Sequence, residues 1–140
     1  MQEMYKGVVN SPETTITNNI SNSDTIIYVL DETRVPDDLP NLMVLGTGTG
    51  AETVKVLSID GNAITVERGF QGVPKSWNAG TVIARNFTEY DYNAVIENLR
   101  PLVSDMPYII TDEKTSKTYR YGKKLSANGK PQIIYEEVIE

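Results

Sequence analysis

The sequence is most constrained by a series of short runs in which apolar residues alternate with polar ones, from about Thr14 to Asn86. Apolar residues at every second position predict β-strands with one buried face, because successive side chains of a strand point to opposite sides. Six such runs occur, separated by turn residues: TTITNNI, TIIYVLD, NLMVLG, ETVKVLSI, NAITVERGF and TVIARNF. Six strands at this spacing predict a mainly β fold, either a small β-sandwich or a barrel.

The residues between these runs indicate how the strands connect. Asp60-Gly61-Asn62 is a strong hairpin signal, because these residue types tolerate positive φ. The polar cluster Ser21–Asp24 is also typical of a hairpin turn, whereas Pro36 and Pro40 exclude a central strand from their loop. Within ETVKVLSI the alternation slips by one residue, which predicts a shared buried side for Val54, Val56, Leu57 and Ile59.

One amphipathic helix is predicted after the last strand. Thr88 is a suitable N-cap, and Glu89 and Asp91 complement the positive end of the helix dipole. Pro101 is expected to end the helix soon after Leu99. A spacing of i, i+3, i+4 and i+7 predicts one apolar stripe, formed by Tyr92, Val95, Ile96 and Leu99.

A change of composition at Met106 predicts a separate C-terminal unit. The runs YIIT, TYRYGKKL and PQIIYEEVI are separated by the turns DEKTSK and SANGK, as expected for a three-stranded β-meander. Thirty-five residues bury little core alone, so this unit is expected to lean on the main domain or on a partner chain. The predicted organisation is a β-rich main domain at 1–87, the helix and linker at 88–105, and the meander subdomain at 106–140.

The distribution of charge argues against nucleic acid as a partner. Residues 1–105 carry seven Lys/Arg against fourteen Asp/Glu, a net charge of −7, whereas residues 106–140 carry six against five, a net charge of +1. A phosphate-binding surface needs a cationic face, which the acidic main part of the chain does not offer. No apolar run approaches the roughly 18 residues needed to span a bilayer, and MQEMYKGVVN lacks the pattern of a secretory signal.

The absence of cysteine and histidine excludes many kinds of chemistry. Thiolate and imidazole metal sites, disulfides and histidine-dependent catalytic triads all require these residues. The glycine-rich stretch Gly46–Gly50 runs directly into a strand that begins near Glu52, without the helix that a phosphate loop requires. We therefore predict no cofactor, no metal and no enzymatic activity.

Carboxylate pairs and the single tryptophan are the remaining candidates for a site. The pairs Asp37/Asp38, Asp60/Glu67 and Glu89/Asp91 contain the groups that a glycosidase uses, but each has an evident local structural role. Trp77 lies in a predicted loop, where an indole ring caps a core, anchors a protein contact or stacks on a sugar. Capping is favoured, and the other two roles stay open.

From Thr14 to Leu99 the sequence resembles a module found in phage tail, baseplate and tail-fibre proteins. The likeness begins with TTITNNISNSDTIIYVLD, continues through VPDDLP and GTGTGAETVKVLSI, and is most specific at Arg68-Gly69, Gly72 and Ala79-Gly80 before the strand with Val82. In that family the intervening loop is often alanine-rich with a histidine, whereas this chain has Lys75-Ser76-Trp77-Asn78. The C-terminal segment is also similar to short segments of small tail-module proteins from phages of Gram-positive hosts.

The resemblance implies a structural component of a phage tail or tail-like particle, in a baseplate or at a fibre attachment point. Such a component is made in the host cytoplasm, resides in the virion or particle, and acts by assembly with other tail, baseplate or fibre proteins, as a homo-oligomer or in symmetric multiple copies. Neither nucleic acid nor membrane is an expected partner. The alternative is an adhesive module that binds carbohydrate on the host surface. The candidate interaction residues are Arg68, Trp77, Tyr92, Val95, Ile96 and Leu99.

Overall fold

The computed structural model describes residues 1–103 and 108–138, with side chains described for residues 1–100 and 108–138. The linker after residue 103, the predicted meander boundary at Met106 and the last two residues lie outside this description. The chain divides into two compact units. One comprises Met4–Asp91, and the other comprises Met1–Glu3 with the chain from Tyr92 onward.

The first unit is a six-stranded sheet, as the alternating runs predict. Its strands are β1 (Glu13–Thr15), β2 (Ile26–Tyr28), β3 (Asn41–Leu45), β4 (Glu52–Asp60), β5 (Ala63–Gln71) and β6 (Val82–Ala84). Short 3-10 helices at Glu32–Arg34 and Gly48–Gly50 lie in the connections before β3 and β4. All strand pairs are antiparallel, in the order β1-β6-β3-β4-β5-β2.

The sheet curls until its two edge strands meet. The strands at opposite ends of the order, β1 and β2, are linked just beyond their ends by an antiparallel bridge between Ile16 and Val29. Hydrogen bonds from the Thr17 amide to the Tyr28 carbonyl (2.8 Å) and from the Leu30 amide to the Thr15 carbonyl (2.9 Å) flank this bridge. Of the two predicted architectures, the curled sheet agrees with the barrel.

Two local expectations for this sheet are only partly met. The segments on either side of the Ser21–Asp24 cluster meet antiparallel only around the Ile16–Val29 bridge, because β1 pairs with β6 and β2 pairs with β5. The slip in β4 is confirmed as a register shift between Val56 and Ser58, but Leu57 is exposed instead of buried. A bulge leaves one residue of the bulged strand unpaired, and here the side chain of Leu57 points outward.

The core of this unit lies inside the curled sheet. Inward positions of β2 to β6 contribute aliphatic side chains, among them Ile27, Met43, Leu45, Val54, Val56, Ile64, Val66 and Ile83. Burying one such side chain contributes about 1.5–3 kcal/mol relative to leaving it in water. The core therefore comes from residues separated widely along the chain.

The predicted helix is confirmed as α1 (Glu89–Val103). Its start is a reciprocal capping arrangement, because the Thr88 amide donates to Asp91 Oδ2 (2.8 Å) and the Asp91 amide donates to Thr88 Oγ1 (3.4 Å). The helix continues past the predicted stop at Pro101. Proline lacks one donor, but the helix extends only two residues beyond it, within the range over which helix ends vary.

The C-terminal unit contains the predicted antiparallel meander. Its strands are β7 (Tyr108–Thr111), β8 (Thr118–Leu125) and β9 (Pro131–Glu137), with β8 in the centre. The register aligns Tyr108, Tyr121 and Tyr135 in one row across the three strands. The turn before β9 contains Gly129 at φ 74°, a conformation that glycine adopts without strain.

Candidate functional site

Arg68 of β5 forms a buried ion pair with Glu52 at the start of β4. Arg68 Nε donates to Glu52 Oε1 at 2.8 Å, and Nη2 donates to Oε2 at 2.9 Å. The side chains are 6% and 0% exposed, respectively. Two parallel hydrogen bonds of this kind fix the geometry of both groups. Arg68, one of the candidate interaction residues, is thus paired with a carboxylate of its own chain.

The other donors of Arg68 hold two loops. Nη1 donates to the carbonyl oxygens of Ser21 (2.7 Å) and Asp24 (2.9 Å), and Nη2 also donates to that of Lys75 (2.8 Å). A guanidinium group has five N–H donors, and all five are used here. Arg68 therefore ties the Ser21–Asp24 segment and the loop after β5 to the sheet.

Trp77 completes this cluster. Its Nε1 donates to Glu52 Oε2 at 3.0 Å, while its backbone pairs with that of Ile20 through two hydrogen bonds of 2.9 Å. The indole packs against the aliphatic core, and the Lys75 ammonium lies 4.2 Å from the ring centroid. These contacts agree with the capping role that the sequence favours, and they place the half-buried ring against the core.

The Glu52 carboxylate is stabilised in its charged form. Burial raises its pKa, but hydrogen bonds from Arg68, Trp77 and the Gly69 amide outweigh burial and lower the pKa below its ordinary value. A carboxylate held in this way is a permanent anion near neutral pH. It is suited to organising loops around itself and poorly suited to exchanging a proton.

A second buried pair, Arg85 with Asp91, was not identified in the sequence. Arg85 Nη2 donates to Asp91 Oδ1 (2.6 Å) and Nη1 donates to Oδ2 (3.0 Å). Arg85 also donates to the carbonyl oxygens of Tyr5, Lys6 and Asn86. The pair joins β6 to the N-terminal segment and to the first turn of α1. An arginine that directly follows the buried end of a strand, six residues before a capping aspartate, is the signal that would have found it.

The other predicted carboxylate pairs are separate in the structure or lie in exposed loops. Asp60 is paired with Ala63 beside the hairpin turn, whereas Glu67 is opposite Lys55, four residues further along the hairpin. Asp37 and Asp38 are exposed in the loop before β3. Within residues 1–103 and 108–138 no group of three or more acidic side chains is arranged to hold a metal ion.

The predicted helix stripe is largely exposed. Tyr92, Ile96 and Leu99 have exposed side chains, and Val95 is half-buried. Other positions of the helix are less accessible to solvent. Ala94 is only 1% exposed, and Asn98 exchanges hydrogen bonds with the backbone of Gln2 (2.8 and 2.9 Å). The helix thus turns its most apolar stripe toward solvent.

One face of the C-terminal sheet is also apolar and exposed. Six of its side chains line a common depression or belong to the same row; we call them the tyrosine face: Tyr108, Ile110, Tyr119, Tyr121, Ile133 and Tyr135. Ring contacts join Tyr108 to Tyr121 and Tyr119 to Tyr135, with centroids 5.2 and 6.4 Å apart. Tyr135 and Ile133 are 74% and 67% exposed. Sequence alternation within this unit contains the signal for this face.

Comparison with known proteins does not assign the chain to a family. No family model matches it, and no curated protein matches it. Among the helices of the described residues, none has the length and apolar character needed to cross a membrane. The candidate sites therefore rest on their geometry: two internal arginine–carboxylate clusters, the helix stripe and the tyrosine face.

Proposed function

We propose that this chain is a structural component of a phage tail or tail-like particle, placed in a baseplate or at a fibre attachment point. It acts by binding other proteins of the particle. The tail class is suggested by the resemblance of the segment from Thr14 to Leu99. The assembly role is supported by one structural observation above the others, namely the exposure of the tyrosine face.

Exposed apolar surface of this extent favours burial against protein. Isolated apolar side chains are common on surfaces, but six neighbouring apolar or aromatic residues on one sheet face form a patch of the kind that marks interaction sites. Tyrosine combines a large apolar ring with a hydroxyl group, so it suits a surface that is exposed to solvent before assembly and buried afterwards. The helix stripe adds a second surface of the same character.

The polar clusters of the β unit support a scaffold role. Arg68, Glu52 and Trp77 are engaged with one another and with loop backbones, and Arg85 and Asp91 are engaged in the same way. Every buried side-chain nitrogen or oxygen of the described residues has a hydrogen-bond partner. Such clusters hold loops rigidly, which is useful in a part that must fit repeated neighbours.

The proposal is tested by purifying particles from a producing strain in which the gene is deleted and then restored. We expect the chain to co-sediment with tail particles at a constant ratio, and its deletion to yield particles that lack a baseplate or fibre part. The variant Ile96→Asp in the helix stripe is expected to incorporate poorly. Asn93→Asp places the same charge at another exposed helix position and serves as the control. Complete particles without the chain would refute the proposal.

A further inference from the structure

The tyrosine face has the properties expected of one side of a protein–protein interface. A sheet with one apolar face is stabilised when that face is buried against another layer. One row of this face, formed by Tyr108, Tyr121 and Tyr135, is aromatic across all three strands, and Ile110, Tyr119 and Ile133 lie beside it. By the alternation of strand side chains, the opposite face carries Arg120, Lys124 and Glu136 beside Ile109 and Ile134, so it is the more polar of the two. The missing layer therefore belongs on the tyrosine face.

We propose that the tyrosine face packs against the same face of a second copy of this chain, with the central β8 strands antiparallel across a two-fold axis. This inference deepens the proposed assembly function, because it names a second copy as one partner. Face-to-face sheets pack about 10 Å apart, which leaves room for interdigitated tyrosine and isoleucine side chains.

Of the charged residues on this face, Lys123 and Glu137 lie on the strands and select the orientation, whereas Asp112 and Lys117 lie in the turn between β7 and β8. Lys123 lies on β8 two residues beyond Tyr121, and Glu137 lies on β9 opposite Tyr119, two residues to the other side of Tyr121. A two-fold axis perpendicular to the strands through Tyr121 places Lys123 of one copy beside Glu137 of the other, twice. An axis parallel to the strands places Lys123 against Lys123, which is unfavourable. The face is thus self-complementary in one orientation only.

Net charge is compatible with association through this segment. Residues 106–140 carry a charge of +1, whereas residues 1–105 carry −7. Two copies meeting through the C-terminal sheet therefore bring nearly neutral segments together. Glu137 already accepts from Lys117 within its own chain at 3.0 Å, but both side chains remain about half exposed, so the carboxylate can take a second cation.

The size of the face sets the expected affinity. The strands β7, β8 and β9 have four, eight and seven residues, so the face measures at most about 14 by 26 Å at ordinary strand spacing. Two such faces bury less than the roughly 1,200 Å² of a stable specific interface. We expect a dissociation constant of about 10⁻⁴ M for the free chain, and much tighter pairing where a particle holds the copies together.

The test is sedimentation equilibrium of the full-length purified chain at up to about 1 mM. The wild type is expected to form dimers, and both Lys123→Glu and Glu137→Lys are expected to weaken dimerisation at least about fivefold. An equimolar mixture of these two variants restores both charge pairs, so its dimerisation is expected to return to near the wild-type level. Lys124→Glu and Glu136→Lys make the same charge changes on the opposite face and are expected to have no effect.

A wild-type chain that stays monomeric at 1 mM overturns this inference, as does dimerisation that the face variants weaken no more than the opposite-face variants do. The outcome is distinct from that of the proposed function. A chain that dimerises in this way but is missing from particles refutes the tail assignment alone, whereas a particle component that is monomeric at 1 mM refutes the two-fold pairing alone.

Discussion

At the scale of single residues, the β unit contains charged side chains that are almost fully buried. Arg68 and Glu52 stand within the interior, where an ion pair is stable only with good geometry and satisfied donors. Both conditions are met, because every donor of Arg68 has an acceptor. Through its carbonyl acceptors, Arg68 fixes the placement of two loops against the sheet.

Removing one partner of this pair is expected to be costly. Glu52→Gln and Arg68→Met should each lower the free energy of unfolding by about 3–5 kcal/mol, because the remaining partner loses its counter-charge in a buried site. Glu13→Gln replaces an exposed carboxylate on β1 and should change stability by less than about 0.5 kcal/mol. Urea denaturation followed by circular dichroism measures all three. A loss below about 1 kcal/mol in both buried variants would contradict the description of the cluster.

The same carboxylate predicts the response to acid. The pKa of Glu52 is lower in the folded chain than its ordinary value of 4.5, so the folded state is favoured while the group is ionised. This contribution is fully present above about pH 5 and is lost as the pH falls through the lower folded pKa. Unfolding free energies at pH 7, 5, 4 and 3 should therefore fall less steeply for Glu52→Gln than for the wild type. Parallel pH profiles would show that Glu52 is not the linked group; Asp91→Asn gives the same comparison at the second pair, where Asp91 has a lowered pKa.

Gly46 offers a test of the tryptophan contact. It has φ 81°, and a Cβ there would lie 2.4 Å from the ring of Trp77, whereas Gly48 has φ 68° and open space around it. Gly48→Ala should cost about 1–2 kcal/mol from backbone strain alone, and Gly46→Ala should cost about 1–3 kcal/mol more because the ring must move. Since Trp77 is the only tryptophan, its fluorescence spectrum should shift in Gly46→Ala only. Equal losses and unchanged spectra would place the ring elsewhere.

Some of these residue-scale features were accessible from sequence and others were not. Strand alternation puts Glu52 on the same side as Val54 and Val56, so the pattern itself contains the signal for a buried carboxylate. Its pairing with Arg68, sixteen residues away, depends on the fold of the hairpin and on no local signal. The roles of Arg68 and of the helix stripe as contacts with other chains stay predictions.

At the scale of elements, local signals predicted which segments form strands and helix, but not how they pair. Residues that are close together in the chain are enough to predict the six runs, the Asp60-Gly61 turn, the Thr88 cap and the C-terminal meander. The meeting of β1 with β2 through Ile16 and Val29 requires the whole sheet to curl, which short-range patterns do not encode. The short extension of α1 past Pro101 likewise depends on small differences in free energy between conformations of the helix end.

The exposure of the helix stripe predicts unequal effects of one substitution at neighbouring positions. Ile96 is 41% exposed and Ala94 is 1% exposed. Ile96→Asp should change the free energy of unfolding by less than about 1 kcal/mol, whereas Ala94→Asp should lower it by several kcal/mol because a charge is buried. Urea midpoints of the two variants provide the measurement. Comparable losses would mean that the stripe is covered within the chain.

At the scale of the whole molecule, the chain combines a β unit whose buried polar side chains are hydrogen-bonded with apolar surfaces that are exposed to solvent. The interior of the curled sheet has aliphatic packing and paired charges, as expected of a rigid part. The tyrosine face and the helix stripe expose the apolar side chains that a self-sufficient domain would bury. We infer that these surfaces become buried against other copies of the chain or against other proteins when the chain is assembled into a particle.

Hydroxyl-radical footprinting of the chain, free in solution and within purified particles, tests this inference most directly. The method reports the solvent accessibility of aromatic and aliphatic side chains one by one. We predict that Tyr135, Ile133 and Tyr92 react readily in the free chain and are protected in the particle, while exposed Val73 on the β unit provides a comparison. Equal reactivity of the three side chains in both states would contradict the claim that these surfaces are assembly interfaces.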